Sequence, residues 1–347
     1  MATAGVHYPS SEREFRSWFQ TDLDCLDYID WLRGDDALAC PKCGVERPSK
    51  PVTGRIWRCS GCDARVSRTA GTIFERTRTP LTIWFAAAWE LCFNKGGVSA
   101  LSLQRRMNMG SYQTSWMMLN RYRFAMKSAG QDKLSGTVEV DVTTIGGPRK
   151  GKRGKGAANK IYVATAVELL PDGGFGRCRL RVIPVESSEH LGKFLKECVV
   201  VGSPVVTDSH RCYPKACGGL YPLTQHNISG DDLTAHLVMP AVHRVASLLK
   251  RWLLGTYQGS FGHDHMSAYL DEFTFRFNRR NSRQRGLLFY RLLTLAVGTP
   301  PLHYRDVVLN PVAKGVKPVP PILRRVCAPS LYTASAGQPW RSKVPIP

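Results

Sequence analysis

Cys40-Pro41-Lys42-Cys43 and Cys59-Ser60-Gly61-Cys62 offer four thiols in two pairs, each spaced i, i+3, with fifteen residues between the pairs. Thiols three apart on a tight turn point the same way, and two such turns close a tetrahedron around Zn²⁺. Four cysteines leave no open position, so such a metal is structural; an iron–sulfur site is the other chemistry this spacing admits. Further along, Asp141 lies in the alternating run Val138-Glu139-Val140-Asp141-Val142, and Asp208 follows Val205-Val206-Thr207. His243 and Lys250 sit seven residues apart in one helical stretch, close to two turns, and so share a face. Two carboxylates on neighbouring strands, with a third ligand from a helix, can hold two divalent cations about 4 Å apart. Such a pair activates a water or a 3′-hydroxyl on one side of a phosphodiester and stabilises the leaving oxygen on the other. Lys250 would then contact substrate phosphate. Taken singly, the four residues read equally well as a strand-end polar group, a helix N-cap, a satisfied histidine and a solvated charge.

The elements that must position these groups are legible as periodicities. Strict alternation predicts a strand at 138–142, ended by Gly146-Gly147, and two more at 161–169 and 177–185. A helix at 188–200 and a short strand at 205–207 follow, then an irregular stretch over 209–237. Long helices are expected at 238–254 and 264–280 and a shorter one at 285–297, an α/β order. Ahead of this, residues 1–36 read as one or two amphipathic helices, and 37–78 carry the cysteine pairs with a short hairpin between them. Residues 79–130 are helical in three pieces, broken at Gly96-Gly97 and Gly110. The expected domains are therefore 1–36, 37–78, 79–130, an α/β domain at 136–297, and a Pro-rich tail at 298–347. Ten of the 22 prolines lie at or beyond position 300, with little periodicity around them, so that tail reads as extended.

Charge narrows the partner. Forty-eight Lys plus Arg against 27 Asp plus Glu give +21 over 347 residues, with a pI near 9.8. An excess of this size implies a polyanion, most often nucleic acid. No apolar run reaches the roughly 18–20 residues of a membrane span. The first 36 residues, with eight acids and three bases, resemble no secretory signal. Eleven cysteines, four at metal spacing, fit a reducing compartment in which the rest are small apolar residues. The bases cluster. Residues 98–127 hold Arg105, Arg106, Arg121, Arg123 and Lys127 without an acid, and read either as a helix-turn-helix or as an ordinary helical hairpin. Residues 147–160 hold Arg149, Lys150, Lys152, Arg153, Lys155 and Lys160, a loop that either clamps a phosphate backbone or is merely soluble. Arg251 follows Lys250 on the same helix.

Cysteine pairs, Gly71-Thr-Ile-Phe74, a three-helix segment, V138-E-V-D-V-T-T-I-G-G147 with its basic loop, Thr207-Asp208, L248-L-K-R-W-L-L-G-T-Y257 and Y269-L-D-E-F-T-F-R-F-N-R-R280 occur in this order. Together they resemble a bacterial insertion-sequence transposase with an N-terminal zinc ribbon and an RNase H-like DDE catalytic domain, over about residues 12–297. The resemblance implies an α/β RNase H-like fold and Mg²⁺- or Mn²⁺-dependent DNA strand cleavage and transfer at terminal inverted repeats. It also implies double-stranded DNA as end and target, a homodimer or larger assembly on DNA, and a cytoplasmic, nucleoid-associated location. By motif, Asp141 and Asp208 take the two aspartate positions and Lys250 the trailing basic one. The third position, usually Glu or Asn, is His243, and the usual Glu after the first aspartate is Val142. A catalytically inactive, transposase-derived DNA-binding protein is the other reading of these departures.

Overall fold

The computed structural model describes residues 2–34, 40, 42–45, 50–127, 132–146, 160–227, 237–258 and 263–308. The chain divides into two compact units, Met1–Ala129 with Asn281–Pro347, and Gly130–Arg280. Unit 1 begins with α1 (Glu12–Trp18) and α2 (Asp22–Arg33). Each starts on a hydroxyl cap: Ser11 accepts from the Glu14 N–H, and Thr21 forms a reciprocal capping box with Asp24. Three short antiparallel strands follow, β1 (Lys50–Thr53), β2 (Ile56–Arg58) and β3 (Arg65–Ser67), in the order β1-β2-β3. Then come α3 (Leu81–Phe93), α4 (Ala100–Arg106) and α5 (Tyr112–Lys127).

The acidic start of the chain has a structural use. Arg68, 7% exposed, donates to Asp30 at 2.7 Å and Asp27 at 2.5 Å on α2, and to the Gly54 carbonyl at 3.0 Å. Arg55 pairs with Asp22. Part of the basic charge between the cysteine pairs and α3 is thus spent on holding the small sheet against α2.

Unit 2 contains β4 (Val138–Ile145), β5 (Ile161–Leu169), β6 (Phe175–Ile183), α6 (Ser188–Cys198), β7 (Val205–Asp208), α7 (Tyr213–Cys217), β8 (Leu223–His226), α8 (Pro240–Tyr257) and α9 (Met266–Phe277). The sheet order is β6-β5-β4-β7-β8, antiparallel through β4 and parallel from β4 to β8. Period-two alternation sends Val138, Val140, Ala164 and Ala166 to one face, under α6 and α7. Ile145, Ile161, Val163 and Val167 face the other way, under α8 and α9. Two structured pieces, α7 and β8, occupy the stretch expected to be irregular. Leu223-Thr-Gln-His226 is a sheet-edge strand with two exposed positions, so it carries no alternation to read.

The C-terminal end of α9 closes the opposite edge. Asn278 accepts from the Cys178 N–H at 2.7 Å and donates back to the Cys178 carbonyl at 3.1 Å, pairing with edge strand β6 as a neighbouring strand would. Asn278→Ala leaves that N–H and carbonyl without these partners. It is expected to lower the stability of unit 2 by about 1–3 kcal/mol, read as a fall in Tm.

The last described helices, α10 (Arg285–Val297) and α11 (Tyr304–Val308), belong to unit 1. Residues 281–297 therefore group away from the α/β unit with which they were expected. The reason is aromatic packing: Phe289 is fully buried, with its ring 5.5 Å from Phe15 and 5.4 Å from Trp89, while Phe15 stacks on Trp89 at 4.5 Å. Such packing ties α10 to α1 and α3.

Candidate active site and metal centre

The four cysteines converge. Cys40, Cys43, Cys59 and Cys62 bring their sulfurs within 4.8 Å of one another, the one set of three or more potential ligands to do so among the described residues. The two turns repeat each other bond for bond. Cys40 N–H donates to Val45 and Gly44 N–H back to Cys40; Cys59 N–H donates to Ala64 and Asp63 N–H back to Cys59. Gly44 and Asp63, the matching positions, are both left-handed at φ 73 and 61. The Lys42 and Gly61 N–H groups each point at the first sulfur of their pair, at 3.4 Å. The bond from Lys42 is the chief reason the Cys40 thiol is pulled down to about 6, while the Cys43 thiol, despite a bond from the Val45 N–H, is pushed up to about 12 by the sulfurs of Cys62 and Cys59. Sulfur separations of 3.4 Å for Cys43–Cys59 and 3.7 Å for Cys40–Cys62 compare with the ~3.8 Å edge of a tetrahedron having Zn–S near 2.3 Å. The donor set and its spacing fit a structural Zn²⁺.

Asp141 lies mid-strand on β4, opposite Thr165 of β5. On its other side β4 pairs in parallel with β7, Val138 with Val205 and Glu139 with Val206. The same offset carried two residues on sets Asp141 level with Asp208. Parallel neighbours at one level point to the same face. The carboxyl of Asp141 is raised, first by burial and then by the charges of Asp208 and Glu186; His243 and a backbone N–H oppose the rise. Asp208 and His243 thus each lie near enough to Asp141 to act on its carboxyl. Lys250 is exposed two turns beyond His243.

Glu139 explains how His243 arrives there. It is 1% exposed, and its carboxylate accepts from the Ala241 and Val242 N–H groups at 2.9 and 3.0 Å, capping the first turn of α8. One strand thus carries Asp141 and, two residues earlier on the same face, the cap that fixes the helix bearing His243. Two acids at i, i+2 in an alternating run were the sequence signal for this. Glu186, in the loop before α6, has no such signal. It follows no period and stands beside a serine that reads as an ordinary helix cap.

The candidate DNA contacts divide. Arg105 and Arg251 are exposed, as is Arg106, which pairs with Glu90. Arg149, Lys150, Lys152, Arg153 and Lys155 lie outside the described residues. Arg121 and Arg123 depart from expectation. Arg123 is 1% exposed; Arg121 donates to the carbonyls of Ile73 and Leu302, both at 2.9 Å, with its guanidinium 5.8 Å from the centre of the Trp84 ring. Arg123 is thus buried within unit 1, while Arg121 is half-buried and engaged by backbone carbonyls.

Residues 133–278 match the ISXO2-like transposase domain family. A curated relative, an uncharacterized protein in the transposable element ISH50 of Halobacterium salinarum, is 24% identical over 274 residues, which covers 74% of this chain and 91% of the relative. Among solved structures, the simian T-cell lymphotropic virus intasome in complex with PP2A regulatory subunit B56 gamma matches 67% of this chain and 78% of its own. Its identity is 16% and its TM-score 0.28. No helix among the described residues is long and apolar enough to cross a membrane. The strands of the matched segment, residues 133–278, bear both aspartates, and over that segment the chain is similar to insertion-sequence transposases.

Proposed function

We propose that this chain cuts and joins DNA at the terminal inverted repeats of its own element, through an RNase H-like unit 2 and a divalent-cation centre. The level placement of Asp141 and Asp208 on adjacent parallel strands carries this reading. Asp141, Asp208 and His243 would hold Mg²⁺ or Mn²⁺. Bound cations of this kind supply the charge that activates a water or 3′-hydroxyl and steadies the leaving oxygen. Asp141 and Asp208 contribute negative charge from a rigid sheet. His243 contributes an imidazole nitrogen, a better ligand for Mn²⁺ than for the harder Mg²⁺. Lys250 and Arg251, exposed on α8, are placed to meet phosphate oxygens. The cysteine cluster with its small sheet, and the helices over 79–130 with Arg105 and Arg106 outward, would bind the ends. Synapsis of two ends calls for a dimer or larger assembly, and work on chromosomal DNA places the protein in the cytoplasm.

The test is a linear duplex bearing the element's terminal repeats, incubated with the full chain and Mg²⁺ or Mn²⁺. Wild type is expected to nick at the repeat ends and Asp208→Asn to leave them whole. Equal cleavage by both overturns the assignment. Binding of the repeats by wild type without cleavage under either cation selects the non-catalytic reading, which His243 in place of an acid favours.

A further inference from the structure

No acid lies between Glu90 and Asp132, and within that stretch the turn from α4 into α5 comes to the surface. Residues 107–111 join the two helices. Asn108 takes the left-handed conformation, φ 48, which asparagine tolerates better than most residues. The Met109 N–H donates back to the Gln104 carbonyl at 2.9 Å. The Met109 side chain is buried, and the Ser115 hydroxyl donates to its sulfur at 3.2 Å, so the turn is held by both helices. The apolar face of α5 is committed to the core: Met118, Leu119 and Tyr122 are buried, and Tyr122 donates to the Trp84 carbonyl of α3 at 2.7 Å.

The first turn of α5 is what this packing leaves outside. Tyr112 is 47% exposed, and Gln113 and Thr114 are exposed beside it. The Ser111 hydroxyl donates to Gln113 Oε1 at 2.9 Å, which holds the side-chain amide in one orientation. The oxygen keeps a second lone pair, and Nε2 has no partner among the described residues. Arg105, near the end of α4, is exposed and forms no ion pair among the described residues, whereas Arg106 beside it is taken by Glu90. A free guanidinium on an acid-free surface suits a polyanion. A short helix, a tight turn and a second helix with its first residues bare is the arrangement that sets those residues against base edges in a major groove. Their chemistry decides what they can read. A carboxamide matches N6 and N7 of adenine, a threonine methyl meets that of thymine, and a guanidinium meets phosphate.

We infer that the first turn of α5 reads the terminal repeat in the major groove, Gln113 pairing with an adenine and Thr114 contacting the adjoining base pair, while Arg105 grips backbone phosphate. This rests on the reading of unit 1 as the part that binds the ends. It names the residues that tell a repeat from other DNA.

The test is fluorescence anisotropy of a labelled terminal-repeat duplex with the full zinc-loaded chain, free of Mg²⁺ and Mn²⁺ so that the DNA stays whole. A scrambled duplex of the same composition is the comparison, together with repeats in which each A·T pair in turn is replaced by G·C. Wild type is expected to prefer the repeat by about 10³-fold or more. Gln113→Ala is expected to weaken repeat binding about tenfold, to lose discrimination at one A·T position, and to bind the scrambled duplex as wild type does. Arg105→Ala should instead weaken both duplexes alike and flatten the slope of log affinity against log salt by about 0.9. Both side chains are exposed, so neither change should lower Tm; if Gln113→Ala does, Gln113→Met, of the same length without the amide, decides by the same readings. Wild-type discrimination at every position in the deciding variant, or equal loss on repeat and scrambled duplex, overturns the readout and leaves end binding standing. A wild-type chain that binds both duplexes alike overturns the end-binding reading, and this inference with it.

Discussion

Asp141→Asn is expected to melt higher than wild type while losing strand cleavage. The two effects have one cause. Burial and the charges of Asp208 and Glu186 raise the Asp141 carboxyl above its unfolded value, so the folded chain resists its ionisation. For a carboxyl raised on folding, stability is unimpaired below the unfolded pKa of about 3.9 and is lost as pH rises through the folded value. Asparagine keeps the shape without the charge. Its advantage should therefore be absent near pH 3, appear as pH rises, and level off above the folded pKa. At neutral pH a gain of about 1 kcal/mol, or ~2–4 °C in Tm, is the expected scale for a unit of this size. The measurement uses zinc-loaded protein dialysed free of Mg²⁺ and Mn²⁺ rather than chelated, so that the cysteine cluster is untouched. With cation and repeat DNA, the same variant should lose on the order of 10³-fold or more in cleavage rate, about 4 kcal/mol of transition-state stabilisation. A variant that melts lower at every pH would show that Asp141 serves the fold. One that cleaves normally would remove it from the centre.

The sequence carries the periodic parts of this molecule and misses the parts that depend on what packs against what. The alternation of Val138-Glu139-Val140-Asp141-Val142 announces β4, and the short run ending at Asp208 announces its parallel neighbour. Nothing local says that the two pair at the level that aligns the aspartates; that comes from the register. The cysteine cluster is legible because its chemistry is written in spacing alone. Arg121 and Arg123 show the opposite case. Composition registers their charge, but only the fold reveals that carbonyls and the Trp84 ring absorb one while the other is buried. Phe289 is similar. Its helix follows the α/β unit in sequence, yet its partners are Phe15 and Trp89 near the start of the chain. Glu186 lies at the far end of this scale, in a loop where no period applies.

Cys59→Ser is the second change expected to have a large effect, and its reach is set by how little else holds the small sheet. Its strands are four, three and three residues long, and no residue of β2 or β3 is fully buried. A segment without an apolar core folds on its metal, whose binding is worth roughly 10–16 kcal/mol for structural zinc sites of this type. Three remaining thiols cannot close the tetrahedron, so the variant should purify without the zinc that wild type retains. Residues 40–67 should then become the first site of proteolytic cleavage. The helices should survive: Phe15, Phe19, Phe85 and Phe289 pack on one another without help from the sheet. What they lose is the clamp, since Asp27 and Asp30 would no longer meet Arg68. The expected signature is thus selective. Helical circular dichroism is largely retained, zinc content falls to zero, and affinity for terminal-repeat DNA falls, while Mn²⁺ binding by unit 2 is unchanged. Zinc retained at the wild-type level in Cys59→Ser would show that the four sulfurs do not form the site. A global loss of helix would show instead that the sheet supports unit 1 as a whole, with the Arg68 clamp and not the aromatic core as its main tie.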